Sequence, residues 1–229
     1  MIEKRENSPA GAESAPKTRR AFLTLAALGT VNSVANSVVA QGIEKESAAD
    51  GGVAAIQPKR DLDRVTPVTP PGSEGLKHLK RHCTTCQLCI SACPNGVLRP
   101  SERPGMLMMP EMGFERGYCR PECVRCSSVC PTGAIRILDV ARKAATHVGI
   151  ARWRASLCVV NTDGVPCGNC ARHCPAQAIQ MVPKKENPKV KIPAVDEDRC
   201  LGCGACENLC PSRPVSAIYV EGVERHRVG

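Results

Sequence analysis

Cys83-Thr84-Thr85-Cys86-Gln87-Leu88-Cys89-Ile90-Ser91-Ala92-Cys93-Pro94 constrains this chain more than any other stretch. Three cysteines at two-residue spacing, a fourth further on and a closing proline form the ligation run of a [4Fe-4S] cluster. The first three thiolates wrap one corner of a cubane, with the intervening N–H groups turned towards its sulfides. The fourth follows on a short helical turn, which the proline ends because it has no N–H to donate. The run returns at Cys200, Cys203, Cys206, Cys210 and Pro211. Looser versions lie between, at Cys119, Cys123, Cys126, Cys130, Pro131 and at Cys158, Cys167, Cys170, Cys174, Pro175. Four sets of four use all 16 cysteines, which predicts four [4Fe-4S] clusters with these cysteines as their iron ligands.

An ordinary hydrophobic core is excluded by composition. Only 2% of the 229 residues are aromatic, against 19 Gly, 19 Pro and 16 Cys. Inorganic clusters supply the missing stability, as metal sites do in small domains. The net charge of +9 invites a nucleic-acid reading, but Lys and Arg are scattered and no aromatic series alternates with them to stack bases. A modestly basic surface suits an acidic protein partner or an anionic membrane face instead.

Residues 1–17 are polar and charged, with the composition of a disordered segment. Thr18-Arg19-Arg20-Ala21-Phe22-Leu23 has the pattern of a twin-arginine export signal. The apolar run from Ala21 to Val31 is too short to span a bilayer, and Val38-Val39-Ala40 offers small residues for cleavage. Residues 1–40 are therefore read as a signal peptide and the mature protein as periplasmic, exported with its clusters already in place. That order of events reconciles export with cysteines whose spacing makes poor structural disulfides. Residues 41–75, with Gly51-Gly52 and the run Val65 to Gly72, are read as an extended, proline-stiffened linker.

Residues 76–229 form the cluster-bearing domain. The gaps between motifs are 26, 28 and 26 residues, which marks an internal repeat. Each unit is expected to run strand, ligand loop, short helix, proline, strand. Candidate strands are Ile135 to Leu138, Trp153 to Leu157, Ile179 to Val182, Val190 to Val195 and Ile218 to Val220. Leu76 to His82 is expected as a helical turn. The fold class is α+β: loop-rich, repeated bacterial ferredoxin-like units arranged as two dicluster halves. A Met-rich insertion, Met106 to Met112, holds four of the six methionines and is read as a lid over a cluster in preference to a docking surface.

Paired C-x2-C elements also build zinc sites, but zinc knuckles need no third cysteine two residues on and no closing Cys-Pro. No C-x2-C is followed by His, which disfavours covalent haem. Cys158 stands nine residues before Cys167; without it Cys167, Cys170 and Cys174 are one ligand short. The five histidines form no spaced pair or triad, and neither a nucleophile–base pair nor a Gly-rich phosphate loop is present. The reading is of an electron carrier and not an enzyme.

The twin-arginine segment, Pro70-Pro71-Gly72 ahead of motif one, and four cysteine sets with a widened first gap in motif three resemble the NapG/MauM family of exported ferredoxin-type proteins. The resemblance covers roughly residues 18–220; the extra residue between Cys119 and Cys123 and the Met-rich insertion depart from it. It implies a relay between a membrane quinol-oxidising protein and a periplasmic reductase or dehydrogenase, associated with the membrane through that partner. The alternative is an obligate iron–sulfur subunit of a molybdenum-type oxidoreductase. In two-cluster ferredoxins the fourth cysteine of each run ligates the other run's cluster, so motifs work in pairs. Regular motifs one and four, irregular two and three, and an outline resemblance to four-cluster molybdenum-enzyme subunits favour nested pairing, one with four and two with three, over tandem pairing. Nesting gives Cys210 to the first cluster and Cys93 to the fourth.

Overall fold

A computed structural model of the protein describes residues 58–60 and 64–229. The expected signal at 1–40 and most of 41–63 lie outside the described residues. Helix α1 (Leu76–His82) leads into motif one, buries Leu79 and ends on Lys80, Arg81 and His82, cations that suit a helix C-terminus. Each motif then contributes a helix of one turn: α2 (Leu88–Ser91), α3 (Arg125–Ser128), α6 (Asn169–Arg172) and α7 (Ala205–Asn208). Between them stand α4 (Val140–Ala144), α5 (Val159–Thr162) and a 3-10 turn at Ala155–Leu157. No helix among the described residues is long and apolar enough to cross a membrane.

Among the described residues six strands form three antiparallel pairs. β1 (Leu98–Pro100) pairs with β2 (Pro110–Met112). β3 (Thr146–Trp153), which enters motif three, pairs with β6 (Ile218–Val228), which leaves motif four, in a register that sets Trp153 against Ile218. β4 (Ile179–Lys184) pairs with β5 (Asn187–Val195) between those motifs. The expected strands at 179–182, 190–195 and 218–220 are thus present. The one expected at 153–157 is not present: the strand entering motif three is β3, which ends at Trp153, and Ala155–Leu157 is a 3-10 helix.

Ile135 to Leu138 was expected as a strand and is not one. Its place in the repeat corresponds to β6, and its partner is residues 68–72, which lie ahead of motif one as β3 lies ahead of motif three. Arg136 N donates to Gly72 O at 2.9 Å, but Pro70 and Pro71 have no N–H to extend the ladder. The linker boundary at 75 is corrected by the same segment. Val68, Thr69 and Ser73 are buried, and Met112 N donates to Val68 O at 2.8 Å, so this stretch is a core strap and not a tether.

The strap is anchored at both ends. Near its start Arg64 forms a buried ion pair with Glu207 and donates through Nε to Val220 O at 2.7 Å. Glu207 completes the arrangement by accepting from Val220 N at 2.8 Å. Burial raises the Glu207 pKa, against the opposing pull of Arg64. Further on, Thr69 Oγ1 meets His226 Nε2 at 2.9 Å, and burial lowers the His226 pKa to about 4. The two main apolar clusters incorporate cysteines directly. One joins Val68, Val97, Leu98, Met112, Phe114 and Ile135 to Cys89, with Cys93, Cys119, Cys126 and Cys130 packed against it. The other joins Ala178, Ile179, Ala217 and Ile218 to Cys200, Cys206 and Cys210.

Candidate iron–sulfur centres

The ligand loops of motifs one and four turn because alternate residues adopt left-handed backbone conformations. In motif one these are Thr85 (φ 55°) and Gln87 (φ 62°); at the equivalent places in motif four they are Gly202 (φ 74°) and Gly204 (φ 82°). Such reversals point successive N–H groups inward, the concavity that binds anions. Packing decides which residue type each loop tolerates. A Cβ at Gly204 would lie 2.0 Å from the Phe114 ring, and one at Gly202 would lie 2.4 Å from Gly149 N. In motif one, exposed Thr85 and half-buried Gln87 occupy the matching positions. Main-chain N–H groups already reach the sulfurs: Thr85 to Cys83 at 3.4 Å, Ile135 to Cys130 at 3.4 Å, Ala178 to Cys174 at 3.3 Å and Ala151 to Cys200 at 3.4 Å.

Four groups of four cysteines emerge. Cys83, Cys86 and Cys89 stand with Cys130. Cys119, Cys123 and Cys126 line one apolar pocket with Cys93. Cys158, Cys167 and Cys170 line another with Cys210. Cys200 and Cys203 are neighbours of Cys174, and Cys206 is a neighbour of both. The nested pairing expected from the sequence is therefore wrong: Cys93 sits with motif two and not motif four, and Cys210 with motif three and not motif one. The fourth cysteines cross over in tandem. The physical reason lies in the short connections: α2 packs on α3 and α6 on α7, so each one-turn helix aims its closing cysteine at its sequence neighbour. Regular spacing shapes a loop; it does not choose the loop's partner.

Cys158 belongs to its set despite the wide gap. Trp153 lines the same pocket, and its buried indole Nε1–H has no acceptor among the described residues. A cluster sulfide is an acceptor of the right kind. The thiols themselves point the same way. Burial pushes Cys89 and Cys170 up to about 11, and Cys126 and Cys203 up to about 12. Fully buried Cys206 is raised well beyond its ordinary value, also by burial. At Cys130 burial works upward too, but N–H and hydroxyl donors from Ile135, Thr132 and Ala134 outweigh it and lower the pKa. Iron supplies the positive charge that grouped, desolvated thiolates lack. The donor set fits [4Fe-4S] clusters.

The two halves meet at Cys119 and Cys203. Cys119 N donates to Cys203 O at 2.9 Å, and both residues line a small pocket with Met112, Lys143, Val148 and Leu201. Within the second half, Cys206 neighbours Cys170. The groups consequently run in space as first, second, fourth, third. At the outer end Cys86 is exposed, the one cysteine of the 16 in that state. The Met-rich insertion largely fits the lid reading: Met106 and Met109 pack with Leu79, Cys83 and Cys130, whereas Leu107 and Met108 stay exposed. Sequence reasoning missed Lys143, Phe114 and the Arg64–Glu207 pair. Only the glycine at 204 carried a signal, since a left-handed turn under a close neighbour requires one.

Residues 82–135, which span motifs one and two, and residues 165–213, which span Cys167 to Cys210 and leave Cys158 outside, each match a 4Fe-4S dicluster domain. The methylamine utilization ferredoxin-type protein MauM of Methylobacillus flagellatus is 32% identical over 164 residues, 69% of this chain and 69% of that protein. Ferredoxin-type protein NapF of Escherichia coli K12 is 30% identical across 69% of this chain and 87% of its own length. Ferredoxin-type protein NapG of the same strain is 28% identical across 84% and 80%. With paired cysteine groups, two dicluster domains and these relatives, the chain belongs to the NapG/MauM family of ferredoxin-type iron–sulfur electron-transfer proteins.

Proposed function

We propose that this protein is exported by the twin-arginine route with four [4Fe-4S] clusters in place, and relays electrons between a membrane quinol-oxidising protein and a periplasmic redox enzyme. All 16 cysteines are iron ligands in this reading, four to each of the groups described above. Bound in these groups, the clusters supply one-electron carriers. The observation that carries the reading is the continuous order of the groups, joined between halves by the Cys119–Cys203 backbone bond.

The protein's own residues do the rest. Exposed Cys86 marks the edge where a partner approaches the first centre. Met106 and Met109 shield the inner side of that centre from water. Buried Cys200, Cys206 and Cys210 keep the later centres inside the chain. Arg19 and Arg20 of the signal direct export, and Lys and Arg on the surface favour an acidic partner face.

An anaerobic reductive titration tests the relay. About four electrons per chain are expected, one for each [4Fe-4S] cluster, and they should pass on to an added one-electron acceptor protein without any net reaction of a substrate. Uptake of about two electrons would show that one half does not take part. Isolation only in tight association with a molybdenum-containing chain would overturn the relay in favour of an obligate subunit.

A further inference from the structure

Lys143 is a buried cation to which the relay reading gives no task. It belongs to α4, whose first turn is held by Asp139 accepting from Arg142 N at 2.7 Å, and only 5% of Lys143 is exposed. Its Nζ donates to the main-chain carbonyls of Arg120 and Cys123. It also lines a small pocket with Cys119. A lysine ammonium carries three donors and no acceptor, and two of the three are placed on these carbonyls. Neither acceptor is a carboxylate, and no ion pair among the described residues includes Lys143.

A buried ammonium requires an opposing charge close by. Here the groups at hand are the cysteines of the second set: Lys143 holds the Cys123 carbonyl and shares a pocket with Cys119, and its charge favours the thiolate forms of Cys119 and Cys126. Lys143 also lines the pocket between Cys119 and Cys203, where the two halves meet. We propose that Lys143 is the counter-ion of the centre held by Cys93, Cys119, Cys123 and Cys126, and that its charge raises that centre's reduction potential. The inference rests on the relay reading. Reduction adds one electron and one negative charge to the centre; the fixed ammonium stabilises that charge, and no proton moves. The electron-accepting side of the junction is thereby set by a residue that is not a ligand.

The test is a potentiometric EPR titration of the anaerobic holoprotein with Lys143→Met, Lys143→Gln and Lys143→Arg. In the Met and Gln variants one of four components should move to lower potential. At a fixed ambient potential its reduced-to-oxidised ratio should fall at least about tenfold, as expected for losing a unit charge a few ångströms away in a protein medium. The moving component should be the one whose spectrum Cys126→Ser alters, and Lys143→Arg should restore most of the shift. Loss of that single centre from Met and Gln, with retention in Arg, supports the same role. Full iron content with an unmoved potential in Met or Gln overturns the role of Lys143 alone, as does loss of the centre from Arg as well. A wild-type protein that binds no clusters overturns the relay and this role together.

Discussion

Cys93→Ser should damage the centre held by Cys119, Cys123 and Cys126 and leave the one held by Cys200, Cys203 and Cys206 unchanged. Cys93 lines the pocket of the second group, and its coulombic influence falls on Cys119 and Cys126. Serine is a poorer iron ligand, so the second cluster should be lost or converted to a three-iron form. Iron should drop from about 16 per chain towards about 12, the loss of one [4Fe-4S] cluster. Cys210→Ser is the matching variant in the second half and should damage the centre of Cys158, Cys167 and Cys170. Because the third and fourth groups are neighbours, its EPR signature should also show altered coupling to the centre of Cys206. Damage to the Cys200 group by Cys93→Ser would reinstate nested pairing.

Arg64→Met should be among the most destabilising single changes outside the cysteines. It leaves the Glu207 carboxylate buried without its cation, and it removes the donor to Val220 O. Breaking one partner of a buried pair costs about 3–5 kcal/mol. For a domain of this size that corresponds to a fall of about 10 °C in the temperature at which the visible cluster absorbance is lost. The Arg64 guanidinium also lies over the Phe114 ring, 5.4 Å from its centroid, so the second half should loosen against the insertion as well. Arg64→Met with Glu207→Leu should recover part of the loss but not all, because Val220 N still loses its acceptor. A single variant as stable as the parent would show that the strap does not bear on the fold.

Much of the centres was legible in the sequence because metal ligation imposes spacing. The strands at 179–182 and 218–220 follow from local rules and are present, and the cysteines fall into four groups of four. Ile135 to Leu138 was not legible as irregular backbone. Its own residues favour a strand, and the obstacle is the two prolines of a partner more than 60 residues earlier. The strap itself reads as a linker because proline-rich extended chain looks alike whether solvated or buried. Its burial is decided by what packs on it, Met112 and Ile135 among others. Pairing of the motifs failed for a related reason. Similarity between motifs one and four concerns how each loop wraps its own cluster, whereas the crossover is set by helix packing of α2 on α3 and α6 on α7. Lys143 carried no signal at all, since a lysine in a short helix is ordinarily solvated.

The relay requires all 16 cysteines to hold iron, which metal and sulfide analysis of anaerobically purified full-length protein tests directly. About 16 irons and about 16 acid-labile sulfides per chain are expected, as four [4Fe-4S] clusters require. Zinc in stoichiometric amount, or iron holding reproducibly near 8 with one dicluster half empty, would contradict the relay.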